Sequence, residues 1–97
     1  MKILLVCGAG MSTSILMNKM KKYAEDSGIE LEISATSVES AAEMSDNYDV
    51  ILMGPQVSYR KDDVAAATGK PVAVIPPADY GMANCPNVFK LADQLLA

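Results

Sequence analysis

A cysteine followed by two glycines and three hydroxyl residues makes up the stretch best able to do chemistry: Cys7-Gly8-Ala9-Gly10-Met11-Ser12-Thr13-Ser14. It follows the apolar run Ile3-Leu4-Leu5-Val6, turns through Gly8 and Gly10, and feeds a helix. Backbone amides at such a turn and the partial positive charge of a helix N-terminus aim at one point, so residues 8 to 14 are expected to cradle an anion such as phosphate. The same amides would favour the thiolate of Cys7, and a thiolate in a phosphate cradle is a nucleophile for phosphoryl transfer. Cys7 is therefore the candidate catalytic residue, holding the phosphoryl group as phosphocysteine. The plainer reading makes Cys7 a small buried residue at a strand end, with the glycines serving only the turn. Ser12, Thr13 and Ser14 suit helix N-cap positions under either reading.

What the chain lacks narrows the chemistry. The loop has no Gly-Lys before a Ser or Thr, as a Walker A loop requires, and no third glycine to complete a dinucleotide fingerprint. Histidine is absent from the 97 residues, which removes Ser-His-Asp and Cys-His catalysis, histidine metal sites and phosphohistidine on this chain. Cys7 and Cys85 form no CxxC pair, so reduced thiols are expected and neither a metal nor a cofactor is. Eight basic against twelve acidic residues give a net charge of −4, and aromatics make up 5% with no Trp. That is neither the electrostatic footprint nor the stacking surface of a nucleic-acid binder. The first apolar run is too short for a signal peptide, and no run approaches the ~18 residues of a membrane span. A cytoplasmic, soluble, monomeric protein is expected, with residues 1–97 forming one domain.

The elements that must position Cys7 can be read in order. Ile3 to Val6 reads as a central strand covered on both faces. From Ser12 to Ser27 the residues Leu16, Met20, Tyr23 and Ala24 recur at helical spacing, and Gly28 stops the helix. Glu30 to Ala35 alternates polar and apolar, as an edge strand does. Thr36-Ser37-Val38-Glu39 matches a capping box ahead of a short helix through Ala41, Ala42 and Met44. Val50-Ile51-Leu52-Met53 is a third strand ending at Gly54-Pro55. Val57 to Thr68 reads as a helix stopped by Gly69, and Pro71 to Ile75 as the fourth strand. A loop is expected from Pro76 to Asn84, then an amphipathic helix through Val88, Leu91, Ala92 and Leu95. Alternating strands and helices imply a parallel sheet of order 2-1-3-4 with helices on both faces, an α/β three-layer sandwich. In such a sheet the ligand crevice opens beyond the carboxyl ends of strands one and three, where strand order reverses.

The loop Cys7 to Ser14, with Met53-Gly54-Pro55-Gln56 after strand three and Tyr80-Gly81 after strand four, resembles the lactose/cellobiose-type IIB component of the bacterial phosphoenolpyruvate:sugar phosphotransferase system. The similarity spans nearly the whole chain. It implies a fold shared with flavodoxin-like proteins and low-molecular-weight phosphatases. It also implies a relay: the cysteine takes a phosphoryl group from a phosphohistidine on a IIA protein and passes it to a disaccharide of the cellobiose, chitobiose or lactose class held by the membrane IIC protein. Carried over, Cys7 is the phosphorylated residue. Cys85 departs from that pattern and is assigned no role.

The nearest rival is a low-molecular-weight tyrosine phosphatase-like enzyme, which needs an Arg six residues after the nucleophile; Thr13 stands there. Asp79 could stand in for a phosphatase general acid, or be a solvated loop carboxylate. A passive phosphate-binding module is the other alternative. A relay cysteine must meet two partners in turn, so Cys7 is expected to be exposed and ringed by apolar side chains. Met11, Tyr59, Tyr80 and Met82 are the candidates for docking, with Gln56 as a second-loop donor to the phosphoryl group.

Overall fold

Two four-residue apolar stretches, running side by side, are the centre of the molecule. The computed structural model describes residues 1–7 and 11–96, with side chains in the first helix described from Ser14 onward. Strands β1 (Lys2–Val6), β2 (Glu32–Thr36), β3 (Val50–Met53) and β4 (Val72–Val74) form one parallel sheet in the order β2-β1-β3-β4. Helices α1 (Met11–Ser27), α2 (Ala41–Met44), α3 (Lys61–Thr68), α4 (Pro77–Gly81) and α5 (Cys85–Leu96) connect or follow the strands. Short 3-10 turns occupy Ser45–Asn47 and Pro55–Arg60.

Because successive side chains of a strand point to opposite faces, β1 and β3 each divide between two cores. Ile3, Leu5, Val50 and Leu52 pack with Leu16, Met20 and Ala24 of α1 and Val88, Phe89 and Ala92 of α5. Leu4, Val6, Ile51 and Met53 pack on the other side with Ala41 of α2 and Val64 of α3. The register, Ile3 opposite Val50 and Leu5 opposite Leu52, brings like faces together. This is the expected three-layer sandwich, and it explains why both central strands are continuous apolar runs. Met20 is fully buried, and Lys19, Lys21 and Lys22 are exposed, as the helical spacing of α1 predicts.

Several boundaries differ from the sequence reading. Strand β2 begins at Glu32 rather than Glu30: the Met1 ammonium donates to the Glu30 carbonyl and the Glu32 amide to the Met1 carbonyl, and the paired register with β1 opens at Lys2 opposite Glu32. The capping box does not form. Thr36 belongs to β2, and α2 starts at Ala41 after Ser40, which makes no side-chain cap. Residues from Pro55 to Arg60 are a kinked 3-10 segment, with Val57 at φ −115°, and the regular helix begins only at Lys61. Within the expected loop from Pro76 to Asn84 lies helix α4, preceded by Pro76. Gly28 (φ +71°) and Gly69 (φ +67°) do take the left-handed conformation that ends α1 and α3. Among the described residues no helix is long and apolar enough to cross a membrane.

Candidate active site

At the carboxyl edge the sheet's hydrogen bonding runs one residue past each strand. The Cys7 amide donates to the Thr36 carbonyl at 3.0 Å, the Gly54 amide to Val6 at 2.9 Å, and the Ile75 amide to Met53 at 2.9 Å. Cys7 and Gly54 are thereby held side by side at the point where strand order reverses between β1 and β3. The chain that follows Cys7 enters α1, whose first helical residue is Met11.

Gly54 shows how closely the neighbouring groups approach. A Cβ built on Gly54 would lie 3.6 Å from the Cys7 Cβ, 3.4 Å from Tyr80 Cε2 and 2.6 Å from Gln56 Oε1. Three side chains from three segments thus surround one α-carbon: the cysteine after β1, the glutamine of the turn after β3, and the tyrosine of α4. Topology places Gln56 and Tyr80 at the same sheet edge as Cys7, and in the structure each comes within 4 Å of the Cβ position of Gly54.

Cys7 itself is 4% exposed, against the expectation of an exposed nucleophile. Its backbone is fixed in the sheet by the bond to Thr36, and Tyr80 lies beside it across Gly54. A strand end in the centre of the sheet is thus buried rather than open. Tyr80, half-buried, also packs against the α1 and α5 core, so it is part of the wall of the site rather than a free surface group. Tyr59 and Met82 do stand out in solvent, at 78% and 79% exposure. Ser14 is exposed in the first turn of α1. Gly8, Ala9, Gly10 and the side chains of Met11, Ser12 and Thr13 lie outside the described residues.

Ile15 was missed by the sequence reading. It is 61% exposed at the start of the second turn of α1, and with Tyr59 and Met82 it adds a third apolar side chain to segments at this edge. The signal was available: Ile15 is an apolar residue one position off the stripe that runs from Leu16 through Met20.

Asp79 is not poised as a general acid. Its carboxylate accepts from the Asn87 side-chain amide at 3.0 Å and its carbonyl accepts from the Asn84 amide at 2.8 Å, which ties α4 to the start of α5. Cys85, the first residue of α5, is buried, and burial pushes its thiol above the ordinary value while the Lys19 ammonium pulls it the other way. Neither cysteine is in a disulfide. Among the described residues no group of three or more His, Cys, Asp or Glu side chains is arranged to hold a metal ion.

Comparison with known proteins points one way. The family model for the PTS system lactose/cellobiose specific IIB subunit matches residues 2–91. The PTS system cellobiose-specific EIIB component of Lactococcus lactis is 42% identical over 97% of this chain and 94% of its own length. The oligo-beta-mannoside-specific EIIB component of Bacillus subtilis is 40% identical over 98% of this chain and 95% of its own. The solution structure of the cellobiose-specific phosphotransferase IIB component from Borrelia burgdorferi superimposes with a TM-score of 0.80 at 39% identity, covering 98% of this chain and 90% of that one. A lactose-specific EIICB component from Streptococcus mutans, in which IIC and IIB are fused, matches 70% of this chain at 31% identity over 12% of its own length.

Proposed function

The chain belongs to the lactose/cellobiose-specific IIB family of the sugar phosphotransferase system, and from that premise we propose that Cys7 is the residue that carries its phosphoryl group. IIB components are phosphotransferases that pass phosphate to a sugar and work with a IIC permease. The observation that carries the assignment to Cys7 is its place at the carboxyl end of the central strand, bonded to Thr36 and beside Gly54 at the sheet's switch point, directly before α1.

The donor on this reading is a phosphohistidine on a IIA protein. The Cys7 sulfur attacks phosphorus as the P–N bond breaks, and the thiol proton ends on the departing imidazole. In the second step a hydroxyl of a disaccharide held by IIC attacks phosphorus, the S–P bond breaks, and the hydroxyl proton returns to the Cys7 sulfur. Amides of residues 8 to 14 and the hydroxyls of Ser12, Thr13 and Ser14 would hold the phosphoryl oxygens. Ile15, Tyr59 and Met82 supply apolar surface on which two partners could dock in turn. We take residues 1–97 as one IIB domain, acting as a monomer in the cytoplasm on a sugar of the cellobiose, chitobiose or lactose class. The phosphatase alternative is not favoured, since the relatives are IIB components and Thr13 stands where the clamping Arg would be.

Incubation with phosphoenolpyruvate, the general phosphotransferase proteins and a IIA protein, read by intact mass, tests this. The wild-type chain should gain one phosphate, and Cys7→Ser should fold and gain none. Uptake that persists in Cys7→Ser removes the assignment.

A further inference from the structure

Gly54 poses a question that backbone geometry does not answer. At φ −64° and ψ 149° it sits in extended backbone that any residue adopts, so no conformational need calls for glycine. What glycine changes here is steric: a Cβ would keep ordinary contact with Tyr80 and Cys7, at 3.4 and 3.6 Å, and would push aside the flexible tip of Gln56, whose Oε1 lies 2.6 Å away. Glycine at position 54 therefore leaves room for the Gln56 side-chain amide.

That amide is folded back over the strand end, yet Gln56 is exposed and its side chain makes no hydrogen bond among the described residues. A glutamine amide carries an acceptor oxygen and two donor hydrogens. Held against Gly54, whose Cβ position lies 3.6 Å from the Cys7 Cβ, and with no side-chain hydrogen bond among the described residues, it can turn its NH2 toward a group on the sulfur. We propose that Gln56 is a ligand of the phosphoryl group on Cys7, donating a side-chain hydrogen bond to a phosphoryl oxygen, and that Gly54 is glycine to admit it. The inference rests on the assignment of phosphate to Cys7 and adds a residue from the turn after β3. A neutral amide suits a group that must leave again, because it orients the phosphoryl oxygens without adding the charge of an Arg clamp.

The test follows phosphoryl uptake from the IIA donor in Gln56→Ala, Gln56→Glu, Gly54→Ala and the Gly54→Ala/Gln56→Ala double variant. Losing a hydrogen bond to a charged group should slow uptake by about tenfold or more in Gln56→Ala. Gln56→Glu keeps the shape and adds a negative charge, so it should be slower still. Gly54→Ala acts by displacing the amide, so the double variant should be no slower than the slower single variant rather than the product of the two. In the wild-type protein the Gln56 side-chain NH2 signal, identified by its loss in Gln56→Ala, should shift in a 15N–1H spectrum on phosphorylation. Wild-type rates in Gln56→Ala, Gln56→Glu as fast as Gln56→Ala, multiplicative effects, or an unmoved NH2 signal each overturn the inference while leaving phosphate on Cys7. Phosphate uptake in Cys7→Ser, or none in the wild type, removes the underlying assignment and this one with it.

Discussion

The two cysteines make opposite predictions, and Cys85→Ala separates them. Cys85 is 6% exposed and packs in the same core as Leu5, Leu16, Met20 and Val88. Its thiol is held neutral by burial, so it acts as a small apolar side chain rather than a nucleophile. Replacing it with Ala removes a sulfur comparable to a buried methylene, about 0.8 kcal/mol of transfer free energy, and leaves a small void. Together these cost about 1–1.5 kcal/mol. For a domain of this size a kcal/mol moves the melting temperature by roughly 4–8 °C, so a fall of roughly 5–10 °C is expected. Thermal melting by circular dichroism reads the stability, and intact mass after incubation with the phosphoryl donor reads the chemistry. Phosphate uptake should match the wild type at a temperature where both are folded. An unchanged melting temperature would refute the packing account. Loss of uptake with normal melting would show that Cys85 takes part in the reaction.

The raised Cys85 value also sets a pH dependence. The unfolded thiol ionises at about 8.5 while the folded one stays protonated to higher pH, so this group's contribution to stability is complete below about pH 8.5 and is lost as pH rises through the folded value. Urea unfolding from pH 7 to 10 should show the wild type losing more stability than Cys85→Ala. At the carboxyl edge, Met82→Ala and Tyr59→Ala should each slow transfer from the IIA donor severalfold with the melting temperature nearly unchanged, because both side chains are mostly in solvent. A collapsed melting temperature with normal transfer would place them in the core.

How much the sequence shows depends on which forces are local. Strands β1 and β3 are legible because burial on both faces leaves nothing but apolar residues from Ile3 to Val6 and from Val50 to Met53. The ends of α1 and α3 are legible because Gly28 and Gly69 are residues that tolerate positive φ. Thr36 misleads because its side chain fits a cap, while its carbonyl is claimed by the amide of Cys7, some thirty residues earlier in the chain. The start of β2 is likewise decided across the sheet, where β1 begins at Lys2 opposite Glu32, rather than by the alternation of Glu30 and Leu31. Helix α4 spans only Pro77–Gly81, too short to show a period. The sequence after Cys7 suggests a nucleophile, but the burial of Cys7 depends on the packed sheet edge, where Gly54 and Tyr80 come from distant parts of the chain. That burial has a chemical sense for a relay. On the proposed role of Cys7, a phosphocysteine would react with water as well as with a sugar hydroxyl, and a buried cysteine would meet less water than one standing open at a strand end. The expectation of an open nucleophile considered only the partner that must arrive, whereas the fold also answers to the solvent that must be kept out.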